Sequence, residues 1–157
     1  MSTTNNAKNF LKFHIILVCK YRKELLIGSL GKEIKRLVKE SAQDFSVDIQ
    51  EIDRDHIHVL VSSIPRLSPS MIVRRIKQYT TYHIWRDIRY TKFLKKHFWK
   101  EKTFWTDGYF VSSIGYASED TVRKYIGITG MRNSCQRLKI VDFSSSVSYK
   151  SNISIIQ

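Results

Sequence analysis

Two histidines one residue apart, His56 and His58, sit in the run DHIHVLV at positions 55–61. In an extended chain, side chains two apart point the same way, so both imidazoles share one face while Ile57, Val59 and Val61 share the other. Two imidazoles side by side suit one divalent cation, and they equally suit a hydrogen-bonded or solvated pair on a sheet surface. The pair alone leaves both readings open. Asp53 and Asp55 lie close in sequence, and Asp53 reads most simply as the end of a hairpin strand. A second group is the segment SEDTVRKYIGITG at 118–130, where Tyr125 follows Arg123 and Lys124. A phenolate can attack phosphorus when cationic groups take up charge on the phosphoryl oxygens. A core tyrosine on a short helix fits the same pattern, and with eight tyrosines in the chain spacing alone does not choose.

The charge balance narrows the choice of partner. The formal net charge is +13, from 27 Lys+Arg against 14 Asp+Glu in 157 residues, which favours a polyanion. The excess is concentrated: residues 66–102 hold eleven Lys or Arg and two acids, Asp87 and Glu101, with Trp85, Trp99 and Trp105 in or beside them. Basic surface interleaved with aromatics suits backbone contacts plus stacking on unpaired bases; core tryptophans under a soluble helix face are the plainer reading of any one of them. No apolar run is long enough to cross a bilayer, and the polar first nine residues predict a flexible N-terminus without a signal peptide. Cys19 and Cys135 show no metal-ligand spacing and fit a reducing cytoplasm.

These residues must be carried by a small set of elements. Residues 10–20 read as a strand, dense in β-branched and aromatic side chains. From Ser29 to about Asp44, Leu30, Ile34, Leu37, Val38 and Ser41 or Ala42 recur at helical spacing. Residues 46–53 alternate polar and apolar as a half-exposed strand. After a tight turn at Arg54 and Asp55, residues 56–62 form its hairpin partner. Ser68 and Pro69 start a helix that should reach about Asp87, with Ile72, Ile76, Tyr79 and His83 along one side. Residues 109–113 make a short strand, and Ser118, Glu119 and Asp120 open a terminal helix. The order predicts an α+β fold: a ferredoxin-like, RRM-like four-stranded antiparallel sheet with helices packed on one face, plus the C-terminal helix. The apolar face of 56–62 should meet those helices, leaving His56 and His58 on the open face.

Four stretches together are similar to the single-tyrosine (Y1) HUH transposases of the IS200/IS605 family: FHIILVCKYR at 13–22, DRDHIHVL at 53–60, WTDGYFVSSIG at 105–115 and SEDTVRKYI at 118–126. They span about residues 10–130 in the family's order. The resemblance implies a DNA transposase that cleaves and rejoins single-stranded DNA at insertion-sequence ends. It makes Tyr125 the nucleophile, leaving a 5′-phosphotyrosine and a free 3′-OH, and His56 and His58 the ligands of Mg2+ or Mn2+. It also implies a homodimer with sheets joined edge to edge, recognition of subterminal DNA hairpins, no organic cofactor, no membrane, and a cytoplasmic, nucleoid-associated place of action. His14, Lys20, Tyr21 and Arg22 match the family's first strand, where they support the site or contact DNA. Arg74, Arg75, Arg123 and Lys124 complete the expected DNA-binding set.

One position departs from the family. A glutamine usually follows the tyrosine by four residues as a third metal ligand; here that position is Thr129, a shorter and poorer donor, so Thr129, Asp55 or water is left to fill it. Gly127 weakens the helix by about 1 kcal/mol relative to alanine. The segment 131–157 is serine-rich and without sustained period, a divergent tail after a 10–130 transposase domain. The departure predicts reduced activity, and its extreme is a non-catalytic binder of hairpin single-stranded DNA or RNA on the same fold.

Overall fold

The computed structural model describes residues 11–114. The chain runs through β1 (Leu11–Val18), a 3-10 turn at Lys20–Arg22, α1 (Gly28–Glu40), β2 (Phe45–Ile52), β3 (His56–Ser63), α2 (Pro69–Arg86), α3 (Ile88–His97) and β4 (Phe110–Ile114). The four strands form one antiparallel sheet in the order β2-β3-β1-β4. That is the ferredoxin-like α+β arrangement expected from the sequence. The expected terminal helix, the segments 1–9 and 131–157, and Arg123, Lys124, Tyr125 and Thr129 lie outside the described residues.

The core forms where the helices cover one face of the sheet. Phe13, Ile15 and Leu17 of β1 and Ile57, Val59 and Val61 of β3 meet Leu30, Ile34, Leu37 and Val38 of α1 and Ile72, Ile76 and Ile84 of α2. Ser68 caps α2, its side chain accepting from the Met71 amide at 3.3 Å with Pro69 behind it, as the sequence predicted. The buried side of α2 differs from the predicted stripe. Thr80 and Ile84 face inward, while Tyr79 and His83 sit half-buried at its margin with ring centroids 4.2 Å apart. Thr80 is accommodated because its hydroxyl donates to the Ile76 carbonyl at 2.7 Å and accepts from the Trp105 indole N–H at 2.8 Å.

Two further elements depart from expectation. The alternation read in 46–53 is broken by a register shift between Val47 and Ile49, a β-bulge. It turns Ile49 to the second face beside Leu60 and brings Gln50 to the helix side, where its amide donates to the Lys35 carbonyl at 3.0 Å. Helix α3 was not anticipated. Asp87 caps it by accepting from the Arg89 amide at 2.9 Å, and Tyr90 and Leu94, one turn apart, hold it to the core.

Lys77 fastens the segment that leads into β4. Its ammonium donates to the carbonyls of Thr106 at 2.7 Å, Asp107 at 3.0 Å and Gly108 at 2.8 Å, and stands 5.6 Å from the Tyr109 ring centroid. Burial pushes its pKa down to about 8. Lys77→Met should therefore lower stability by about 2–3 kcal/mol, the cost of three charged hydrogen bonds replaced by unsatisfied carbonyls, read as a lower midpoint in urea unfolding.

Candidate active site

Strand β3 is central, so its two faces see different neighbours. Across from it on β1, the register sets Val18 opposite His56, Ile16 opposite His58 and His14 opposite Leu60. His14 and His58 are then diagonal neighbours on one face, within reach of each other's rings. Their rings stack with centroids 5.2 Å apart and planes 14° apart, and His14 Nε2 lies 2.9 Å from His58 Nδ1. His56 and His58 share that face as alternation requires, with Nε2 of one 3.2 Å from Nε2 of the other.

The face itself is not open. His56 is 3% exposed and His58 2%, where the sequence predicts an open face. The face carries its own apolar cluster, Leu60 with Ile49 and Ile114, and the bulge in β2 is what delivers Ile49 to it. Burial alone is the main reason that His14 is pushed down to about 4; for His58, pushed down to about 3, the charges of His14 and His56 add to it. Both rings are neutral at physiological pH.

Each histidine is oriented from behind. The Asp55 carboxylate can only accept, so His56 Nδ1 carries the hydrogen of their 2.6 Å bond and Nε2 presents a lone pair. Arg22 holds the other Asp55 oxygen at 3.0 Å, and the Asp55 carbonyl accepts from the Cys19 amide at 2.8 Å. Asp55 thus stands on the Nδ1 side of His56, away from the two facing Nε2 atoms. Asp53 closes the hairpin, its side chain accepting from the Arg54 amide at 2.6 Å.

Two placements of hydrogen suit this chain of rings. In one, His14 Nε2–H donates to His58 Nδ1 and His58 Nε2–H donates to His56 Nε2. In the other, His58 Nδ1–H donates to His14 Nε2, and two lone pairs face each other across 3.2 Å. The second state fits a shared cation, because donors about 2.0–2.1 Å from an ion at right angles lie about 3 Å apart. Passing between them moves hydrogens among neutral rings without a net proton. A carboxylate or ring behind each ligating imidazole is the arrangement that fixes tautomer and aim in metal sites. Among the described residues no third His, Cys, Asp or Glu joins the pair.

The remaining predicted residues divide by face. Lys20 pairs with Asp107 at 3.1 Å, and Tyr21 is exposed beside Arg22 in the turn that follows β1. Arg74 is exposed on α2, across the sheet from the histidines. Arg75 is half-buried and donates to the Ser41 carbonyl at 3.0 Å, so it ties α2 to α1. Of the tryptophans, Trp85 and Trp105 belong to the core and only Trp99 is exposed. Burial pushes the Cys19 thiol up to about 12, which makes it an inert core residue.

A sequence profile described as "Transposase IS200 like" matches residues 7–128. The chain belongs to this family. ISDra2 transposase TnpA of Deinococcus radiodurans is 24% identical over 118 residues, 74% of this chain and 81% of the relative. The transposase for insertion sequence element IS200 of Salmonella typhimurium is 26% identical over 106 residues, 66% of this chain and 67% of the relative. Among solved structures, a candidate transposase from Deinococcus radiodurans R1 superposes with TM-score 0.61 at 19% identity, covering 82% of this chain and 97% of that one. A REP-associated tyrosine transposase bound to a REP hairpin superposes with TM-score 0.50 at 14% identity, covering 80% and 68%. The fold is thus that of IS200-like transposases, and His56, His58 and the supports behind them fall within the matched region.

The depressed histidines set a pH dependence. His14 and His58 ionise at about 4 and about 3 in the fold against an ordinary 6.5, so the unfolded chain binds more protons between these limits. Their neutral pairing stabilises the fold fully above about pH 7, and stability should fall as pH drops from about 6.5 toward 4. Thermal melts across that range should show the decline, shallower in His58→Asn; equal slopes in the two proteins would contradict it.

Proposed function

We propose that this transposase cleaves and rejoins single-stranded DNA at insertion-sequence ends, with Tyr125 as nucleophile and His56 and His58 as ligands of Mg2+ or Mn2+. The observation that carries the reading is the 3.2 Å approach of the two buried Nε2 atoms, each ring aimed by a partner on its Nδ1. A bound divalent ion would polarise the scissile phosphate and take up charge on its oxygens. The chain's own residues supply the rest. Arg22 and Asp55 hold His56, and His14 holds the hydrogen of His58 that a cation would displace from Nε2. The Tyr125 oxygen bonds to phosphorus as the bond to the 3′ oxygen breaks, giving a 5′-phosphotyrosine and a 3′-OH. Attack by another 3′-OH reverses the step and releases the tyrosine, so the phosphoester is conserved without hydrolysis.

Hairpin recognition and a homodimer belong to the same reading. The REP-associated relative bound to a hairpin supports the first, and the basic surplus supports a DNA partner. The site is proposed to act on nucleoid DNA in the cytoplasm; no helix among the described residues is long and apolar enough to cross a membrane. Thr129, in the position of the family's glutamine, is proposed to weaken the cation site and slow the reaction.

The decisive experiment incubates the full chain, Mn2+ and a labelled hairpin-bearing single strand, and looks for a covalent protein–DNA adduct on a denaturing gel. The adduct should form in wild type and vanish in Tyr125→Phe, His56→Ala and with EDTA. Hairpin binding with no adduct under any condition would favour the non-catalytic binder. Separately, His14→Ala should weaken Mn2+ binding measured by calorimetry roughly tenfold or more, the usual cost of losing a group behind a metal ligand. Thr129→Gln should tighten it and speed cleavage, and identical behaviour of the two proteins would remove Thr129 as a defect.

A further inference from the structure

The turn that carries Arg22 to Asp55 holds a second feature. Tyr21 and Arg22 adopt positive φ, 59° and 50°, a left-handed conformation uncommon for residues with a side chain. Backbone bonds hold it: the Arg22 amide donates to the Cys19 carbonyl at 2.9 Å and the Lys20 amide to Phe104 at 2.8 Å. Strain of this kind is retained where the surroundings impose it, and functional sites are where it gathers. Tyr21 in this turn is 68% exposed.

Tyr21 lines a depression of about 350 Å3 with His97, Phe98, Trp99, Lys100 and Glu101. Trp99 is 76% exposed, although the other two tryptophans are buried. Two large aromatic rings on one concavity would be a liability for a soluble surface unless something covers them. The rim says what that is. Lys100 Nζ stands 4.7 Å from the Trp99 ring centroid and Lys20 Nζ 5.8 Å from that of Tyr21. The last turn of α3 carries Lys95, Lys96 and His97, of which His97 lines the depression. His97 is held below its ordinary value by burial and by the nearby charges of Lys23 and Lys96, another mark of a cationic rim. Phe98 is buried and gives the depression an apolar floor. An aromatic face with an ammonium beside it, as at Trp99 and Lys100, suits an unpaired base with its phosphates outside. The Glu101 carboxylate is unsuited to phosphate but accepts from an exocyclic amine, such as that of cytosine.

We infer that the depression between Tyr21 and Trp99 binds one unpaired nucleobase of single-stranded DNA, next to the strand held at the histidine site. This rests on the DNA-cleaving reading above and adds a subsite to it. The turn links the two sites physically: Tyr21 contacts the base while the next residue, Arg22, grips the carboxylate that aims His56. A strand seated in the depression is thereby fixed in register with the reacting phosphate.

Because Trp85 and Trp105 are buried, a base stacking in the depression reports through Trp99. Titration of the full chain with a short hairpin-free oligo(dC) should quench tryptophan emission. Trp99→Ala should abolish the quench and weaken binding about tenfold, Tyr21→Ala should weaken it similarly, and Trp99→Phe should keep most of the affinity. A single abasic position in the strand should weaken wild type but not Trp99→Ala. Both rings are on the surface, so circular dichroism should show all variants folded. Wild-type affinity in both alanine variants, with no quench in wild type, overturns the inference and leaves the adduct assay and the main reading intact. Emission that changes with protein concentration before any DNA is added also overturns it, since the rings would then meet another copy of the chain. An adduct that forms normally with Trp99→Ala only at raised DNA concentration supports it.

Discussion

The antiparallel pairing of β1 with β3 is the constraint on which the rest depends. Eight residues of each strand are in register, from Leu11 opposite Ser63 to Val18 opposite His56. One face of that ladder supplies the middle of the core, and the other supplies three imidazoles in contact. A slip of one residue would exchange the two sets, placing rings under the helices and Ile57 and Val59 on the far side. Folding and site assembly are therefore a single event. The same two strands end together, so the hairpin turn at Asp55 and the 3-10 turn at Tyr21 are joined by the Cys19–Asp55 backbone bond and the Arg22–Asp55 ion pair.

The site uses polarity sparingly. Burial keeps His14 and His58 neutral, which is the form that can donate a lone pair, and the Asp55 carboxylate stands behind His56. The rings therefore add nothing to the charge of a protein whose formal net charge is already +13. Several of the basic side chains are also engaged internally. Lys77 holds three carbonyls, Arg75 one, Lys20 pairs with Asp107, and Arg36 and Arg89 share Glu33 across α1 and α3. The pairs with Asp107 and Glu33 are already cancelled in the net figure of +13, so Lys77 and Arg75, which hold neutral carbonyls, are the cations withdrawn from it.

Legibility in the sequence followed the range of the interactions. The order of elements, the cap at Ser68 and the shared face of His56 and His58 are set by neighbours a few residues apart, and local pattern conveys them. His14 could be matched to the site only by resemblance, since its contact with His58 is fixed by a register between strands 44 residues apart. Asp55 was recognised as near, but its side of the ring depends on turn geometry. Helix α3 was hidden because its apolar contacts are only Tyr90 and Leu94, and the lysines around them read as surface. The tryptophans resolve into two kinds that composition treats alike: Trp85 and Trp105 donate their indole N–H groups inward, to Thr103 and Thr80, while Trp99 faces out. The burial of His56 and His58 is likewise not local information, and neither is the extra residue in β2 that turns Ile49 over beside Leu60.

That extra residue also shapes the rim of the sheet. β2 is an edge strand, and a bulge in an edge kinks the row of amides and carbonyls that a foreign strand would have to match. Prolonging the sheet on that side is penalised. The residue that turns Ile49 to the second face thus also protects the β2 rim of the described sheet against pairing with another chain.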